Sequence, residues 1–339
     1  MTSSETFDPA AKEQELLAEA TSWDISNPAD PDPGDIPIVD VGSYFTTGSD
    51  ADLHAVAATL RHACEDVGFY QLVGHQVPES LIADTFDWSR RFHALDLETK
   101  QQINLDNPAW PVPTVGYMPV GERRLPRRAK GNLNEAFLIK GDRGVEYDDN
   151  QWLPDSDLPG FRAGTEAYGR AVSALAMRLL PVYAIALDLE KDFFAPAFLS
   201  PFWRLRFTHY PAFAPDADDE FGIAPHVDTT FFTLLLQDSP GLVIHSAKRQ
   251  QWIKAPRVDN AFVVNSGELL KQWSNDRFLS TRHFANNATE GQSRYSIPFF
   301  FNATADYPMA CLPSCHDAEH PAKYPTISYL ESQAVVQGE

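Results

Sequence analysis

Three stretches toward the C-terminal end carry side chains that could do chemistry together: His226-Val227-Asp228, His283 and Arg294-Tyr295-Ser296. Two imidazoles and a carboxylate bind one face of a divalent iron and leave three adjacent coordination positions open for chemistry on a bound molecule. Read as strand residues, His226 and Asp228 lie two apart and share a face while Val227 points away, and a second strand supplies His283. Arg294 and Ser296 share a face in the same way. A planar guanidinium beside a hydroxyl is a receptor for the far carboxylate of a dicarboxylic acid. Upstream, Arg204, Arg206, Thr208 and Tyr210 alternate along another β-prone run, and Tyr210 could donate to the same acid. An inward arginine needs an anionic partner. Arg204 is therefore the better candidate for an anionic group of a substrate, and Arg206 is a second candidate for which a structural role is favoured. Continuing the alternation from Arg294 places Pro298 and Phe300 inward, so Phe300 is a candidate pocket residue. Phe231, Phe232, Trp203 and Tyr117 are further candidates for an apolar wall, with ordinary core packing the competing reading for each.

These residues need a β-rich frame. After Phe202 the chain breaks into short β-prone runs at 203–210, 229–237, 241–245, 251–254, 261–265 and 294–302, the pattern of a sandwich or barrel of antiparallel sheets. The preceding part reads as helices at 51–67, 80–95 and 161–189, with strands at 35–41, an edge strand because of Pro37, and at 68–74. The expected architecture is α+β with a mainly β core: one domain over 35–330, its helical half at about 35–200 wrapped around a jelly roll at about 201–305. Residues 1–34 form an extension with a short amphipathic helix over 9–20. Residues 107–159 read as irregular, and the basic stretch 123–130 within them as a solvated loop. Loops at 107–135 and beyond Asn302 are expected to set specificity. His75 and His93 belong to the scaffold, His209 faces away from Tyr210, and His245 sits in a turn away from the metal.

Composition narrows the class. A net charge of −20 on 339 residues argues against nucleic acid or an anionic membrane as partner, since both require a basic face. There is no signal-like apolar run near the start and no stretch of some twenty apolar residues. Three cysteines, Cys64, Cys311 and Cys315, suit a reducing compartment, and the cytoplasm is the expected location. Cys311, Cys315, His316 and His320 have zinc-ligand types, yet they lack a Cys-x-x-Cys knuckle and read as an ordinary loop.

Taken jointly, Asp35-Ile-Pro-Ile-Val-Asp-Val41, Gly68-Phe-Tyr-Gln-Leu-Val-Gly-His75, Gly116-Tyr117, Leu205-Arg-Phe-Thr-His-Tyr-Pro211, His226-Val-Asp228, His283 and Arg294-Tyr-Ser-Ile-Pro-Phe-Phe300 resemble a known family. It is that of the iron(II)- and 2-oxoglutarate-dependent dioxygenases related to isopenicillin N synthase, and the likeness spans roughly Asp35 to Tyr329. It implies a double-stranded β-helix flanked by N-terminal helices. It also implies that His226, Asp228 and His283 bind iron(II), that Arg294 and Ser296 bind the C5 carboxylate of 2-oxoglutarate, and that Tyr210 assists. In such enzymes O2 drives decarboxylation of 2-oxoglutarate to succinate and CO2, and a substrate is hydroxylated, desaturated or cyclised. Thr208 stands where many plant members have asparagine. The expected substrate is a small, partly apolar molecule bearing a carboxylate. One alternative is an oxidase of the isopenicillin N synthase or aminocyclopropane carboxylate oxidase type, which works without 2-oxoglutarate. A second is a non-catalytic jelly roll that binds a small molecule, against which the presence of all three metal ligands weighs.

Overall fold

Runs of β-branched and aromatic residues between turns become strands here, and apolar stripes at helical spacing become helices. The computed structural model describes residues 25, 27–110, 114–121, 131–141, 150–212, 220–286 and 291–337; the helix expected over 9–20 and the basic stretch 123–130 lie outside the described residues. The N-terminal half contains β1 (Ile38–Asp40), α1 (Gly42–Thr47), α2 (Asp50–Asp66), β2 (Phe69–Val73), α3 (Glu79–His93), α4 (Leu97–Gln101), β3 (Gly116–Met118), β4 (Glu135–Gly141) and α5 (Phe161–Ala186). The C-terminal half continues with β5 (Phe202–Tyr210), β6 (Ile223–His226), β7 (Phe232–Gln237), β8 (Leu242–Ser246), β9 (Gln251–Lys254) and β10 (Phe262–Ser266). It closes with α6 (Glu268–Trp273), β11 (His283–Ala285), β12 (Arg294–Asn302) and α7 (Tyr329–Gln337).

The strands form an eight-stranded sheet in the order β1-β2-β10-β7-β12-β5-β4-β3 and a four-stranded sheet in the order β6-β11-β8-β9. β1 is the edge strand that Pro37 suggests, parallel to β2. One face of the large sheet packs on the helices. There Ile297, Phe299 and Phe301 of β12 and Leu205 and Phe207 of β5 join Val172, Leu175, Leu179 and Val182 of α5 in the main core. A second cluster, with Phe69 and Val263 from the large sheet and Leu242, Ile244 and Ile253 from the small one, ties the two sheets together. The two sheets are the jelly-roll core, and helices flank it as the resemblance implies.

The alternation of β12 assigns its faces. With Ile297, Phe299 and Phe301 on the helices, the even-numbered Arg294, Ser296, Pro298 and Phe300 point into the space between the sheets. β5 repeats this, so Arg204, Arg206, Thr208 and Tyr210 face inward.

Three expectations need correction. β3 and β4 lie within the stretch expected to be irregular. β4 is buried along nearly its whole length, so its sequence lacks the polar alternation that marks a half-exposed strand. His245 lies in β8 rather than in a turn, with its ring against Trp252 on the outer side of the small sheet. Asp228 falls beyond the end of β6, so a shared strand face is not what brings it to His226.

Candidate active site

Strand pairing delivers the two histidines. β11 runs antiparallel to β6 with His283 directly opposite His226, which sets the ring centroids 4.3 Å apart. The chain turns after His226 and carries Asp228 back toward both rings: its Oδ1 lies 3.6 Å from Nε2 of His226 and 3.7 Å from Nε2 of His283. All three donor atoms fall within 4.8 Å of one another, and among the described residues this is the one such group of three or more metal-ligating side chains. Cys311, Cys315, His316 and His320 are not brought together as a zinc site would require.

Hydrogen bonds fix which atoms face the common point. Nδ1 of His226 donates to the carbonyl of Ala224 at 2.8 Å and Nδ1 of His283 to that of Thr281 at 3.1 Å, leaving each Nε2 lone pair free for a metal. Oδ2 of Asp228 accepts from Thr233 Oγ1 at 2.7 Å and Asn265 Nδ2 at 2.9 Å, so Oδ1 is the atom offered. The backbone N–H of Glu268, where α6 begins, donates to the Asp228 carbonyl at 2.8 Å and pins the turn. Burial opposes the charge on Asp228, yet the neighbouring His283 and His226 and the bond from Asn265 outweigh it and hold the carboxyl well below the usual range. Burial, with the nearby His226 adding to it, pushes His283 down to about 4, so at neutral pH it is an uncharged ligand. The His283 imidazole and the ionised Asp228 carboxylate, with Nε2 of His226 aimed at the same point, suit iron(II).

Beside this triad lies a buried cation. Arg294 is 1% exposed, and its Nε donates to the Ser239 carbonyl at 3.2 Å and its Nη2 to Gln237 Oε1 at 2.9 Å. The guanidinium carbon sits 4.6 Å from the Tyr210 ring centre, and the Tyr210 hydroxyl lies 3.4 Å from Ser296 Oγ. Arg294 Nη1 and Thr208 Oγ1 are buried with no hydrogen-bond partner among the described residues. A buried guanidinium nitrogen left unpaired is costly unless an anion meets it, so the donors fit a carboxylate such as the far end of 2-oxoglutarate. Room for this arginine depends on Gly241, where a Cβ would stand 2.6 Å from Arg294 Nε.

The remaining candidates divide by face. In the β12–β5 register Phe300 pairs with Arg204, and on its other side Phe300 pairs with Thr233, which holds Asp228. Arg206 bonds Asn134, whose side-chain amide donates to the Gly222 carbonyl. Tyr117, Phe231, Phe232 and Trp203 do not line the cavity. The hydroxyl of Tyr117 donates to Glu135 in the helix-side core at 2.5 Å, and Phe231 packs among Tyr183, Phe194, Phe198 and Trp273. Phe232 stacks on Tyr183, and Trp203 stacks on Phe299, both on the helix side. β3 is buried on both faces, which hides the phase of Tyr117, and Phe231 precedes β7; the polar residues at 233 and 237 and at 204, 206 and 208 turn Phe232 and Trp203 away from the cavity. Sequence reasoning missed Thr233, Gln237 and Asn265. The first two were discernible as polar residues four apart in an otherwise apolar strand run, and therefore on one face.

The comparisons with known proteins agree with this geometry. Residues 36–155 match the family described as non-haem dioxygenase in morphine synthesis N-terminal, and residues 202–303 match the 2OG-Fe(II) oxygenase superfamily. The chain is 34% identical over 308 residues to the 2-oxoglutarate-Fe(II) type oxidoreductase hxnY of Emericella nidulans, covering 86% of each. It is 32% identical over 300 residues to azadirone synthase LFS of Melia azedarach, covering 82% of this chain and 87% of that one. A full-length Neurospora crassa protein solved in complex with alpha-KG and thymine superposes with a TM-score of 0.77 at 25% identity, covering 89% of this chain and 96% of that one. The fold and the triad define an iron(II)-dependent oxygenase of the jelly-roll class. The chain belongs to the 2OG-Fe(II) oxygenase superfamily, with iron(II) as its metal, 2-oxoglutarate and O2 as co-substrates, and a small molecule as its substrate.

Proposed function

We propose that this oxygenase oxidises a C–H bond of a small, partly apolar carboxylate, most often by hydroxylation. His226, Asp228 and His283 hold the iron; Arg294 and Ser296 hold the C5 carboxylate of 2-oxoglutarate, with Tyr210 against them. Bound iron supplies the O2 chemistry that converts 2-oxoglutarate to succinate and CO2 while oxidising the substrate. The protein's own residues orient and exclude. Thr233 and Asn265 keep one carboxylate oxygen of Asp228 occupied, and the apolar cluster between the sheets keeps bulk water from one side of the triad.

The observation that carries the substrate class is the row Thr233, Phe300, Arg204 across three adjacent strands. Adjacent strands lie about 4.8 Å apart, so Arg204 stands roughly 10 Å from the residue that holds the metal carboxylate, with an aromatic ring between. The buried Nε of Arg204 has no hydrogen-bond partner among the described residues, and its guanidinium carbon lies 5.5 Å from the Phe202 ring centre. An anionic end at Arg204 would direct the rest of a small molecule over Phe300 toward the iron. The unpaired donors at Arg294 favour the 2-oxoglutarate-dependent reaction over an oxidase that works without it. The three free thiols support a reducing, cytoplasmic setting.

The test is a screen of small carboxylates and their neutral amides, scored by substrate-dependent succinate and product mass. An acid should be turned over in preference to its amide, and Arg204→Ala should raise its KM by about 10- to 100-fold, the loss of a charge-assisted pair, without changing 2-oxoglutarate affinity. Equal turnover of acid and amide, unaffected by Arg204→Ala, contradicts this reading.

A further inference from the structure

Directly behind Arg294, on the helix side of the large sheet, lies a set of polar groups that the reaction itself does not touch. Tyr295 and Ser293 flank Arg294 in sequence, and the imidazole of His209 contacts both. Its Nε2 is 2.9 Å from Ser293 Oγ, and its ring lies face to face with that of Tyr295, with centroids 4.7 Å apart and planes 13° apart. Its Nδ1 is 2.7 Å from Glu135 Oε1. That carboxylate is itself anchored, since Glu135 Oε2 accepts from Lys100 Nζ at 2.8 Å and from the Tyr117 hydroxyl at 2.5 Å, with both ion-pair side chains 8% exposed. Tyr295 is secured from other sides as well. The Arg90 guanidinium lies 5.6 Å from its ring centre, and its backbone N–H donates to Asp238 Oδ1 at 2.9 Å.

We infer that His209 is a positioning residue for Arg294: by gripping both neighbours of the arginine from behind the sheet, it fixes how far the guanidinium projects into the cavity and so sets the affinity for 2-oxoglutarate. A buried lysine–glutamate pair is a poor source of stability because desolvation offsets its attraction, but it is a rigid anchor for orientation. The anchor passes from Lys100 through Glu135 to His209, and from there to the first residues of β12. Neither Ser293 nor Tyr295 faces the cavity, so the effect on 2-oxoglutarate is exerted only through Arg294.

This inference rests on Arg294 being the 2-oxoglutarate receptor, so the experiment carries its own control. Binding of 2-oxoglutarate to the anaerobic iron(II) protein is measured by calorimetry for the wild type and for His209→Leu, Tyr295→Leu, Ser293→Ala and Arg294→Leu. His209→Leu removes the hydrogen bonds to Glu135 and Ser293 and the ring contact with Tyr295, and Kd for 2-oxoglutarate should rise about tenfold, which is about 1.4 kcal/mol. Iron affinity should stay within about twofold, and His209→Gln, which keeps hydrogen-bonding capacity, should recover part of the loss. Ser293 is exposed and its alanine variant tolerable, so that variant decides the matter if His209→Leu does not fold: Kd should rise about threefold for one lost hydrogen bond. A lowered melting temperature with unchanged Kd in these variants would overturn the inference and leave His209 a packing residue. If Arg294→Leu binds 2-oxoglutarate normally, the receptor assignment itself is wrong.

Discussion

Substituting Gly241 by alanine should cripple 2-oxoglutarate binding although residue 241 would not touch the co-substrate. The added Cβ would lie 2.6 Å from Arg294 Nε and 2.7 Å from its Cδ, whereas ordinary contact begins at 3.4 Å. The arginine must therefore retreat by roughly 0.8 Å, the difference between 3.4 and 2.6, in an interior packed too densely to absorb such a shift. Backbone relief is limited, because Gly241 has φ +152 and its carbonyl accepts from the Asn286 N–H at 3.0 Å. A displacement of that size breaks the 3.2 Å bond to the Ser239 carbonyl and spoils two-point contact with a carboxylate. One lost hydrogen bond to a charged group costs about 1.5 to 3 kcal/mol, so Kd for 2-oxoglutarate should rise by roughly 10- to 150-fold. Calorimetry on the anaerobic iron(II) protein reads this directly, with iron affinity as the internal control. A Kd within about twofold of wild type in a folded Gly241→Ala protein would refute the close-packing argument.

Thr233→Val keeps shape but removes one of the two donors to Asp228 Oδ2, and should weaken iron binding by about 10- to 100-fold in a chelator competition. Unchanged iron affinity would show that Asn265 alone orients the carboxylate. Acid sensitivity has a distinct source in His93, which burial holds at about 3 against 6.5 for a free imidazole. Above pH 6.5 the residue is neutral in both states and contributes nothing; as pH falls below 6.5 only the unfolded chain takes the proton, so stability declines down to about 3. At pH 5 that amounts to about 2 kcal/mol, and denaturant titration of His93→Phe should show a shallower loss between pH 6.5 and 5 than the wild type. Parallel slopes would mean that His93 can protonate without unfolding.

How much of this was legible beforehand differs from residue to residue. Strands at Gln251–Lys254 and Arg294–Asn302 show their bounds in the sequence, since turn residues flank β-prone runs on both sides. The helices show theirs to within a few residues because one face of each is polar. The convergence of His226, Asp228 and His283 was also legible from residue type, although strand alternation is not its cause: Asp228 arrives by a turn held at Glu268. Illegible were the facings of Tyr117 and Phe231. Tyr117 lies in the three-residue β3, buried on both faces and too short to show a phase, and Phe231 lies just before β7, outside its alternation. The roles of Gly241 and His209 were hidden for a different reason. Both act through contacts with residues at the start of β12, from which they are distant in sequence, and nothing in local pattern reports them.

The central claim is that His226, Asp228 and His283 hold the iron to which 2-oxoglutarate binds. Adding iron(II) and then 2-oxoglutarate to the protein without oxygen should produce a visible charge-transfer absorption that saturates at one equivalent of each. The same titration of His226→Ala, a half-buried position that should tolerate the change, should produce none. An absent band in the wild type, or an undiminished one in His226→Ala, would contradict the account.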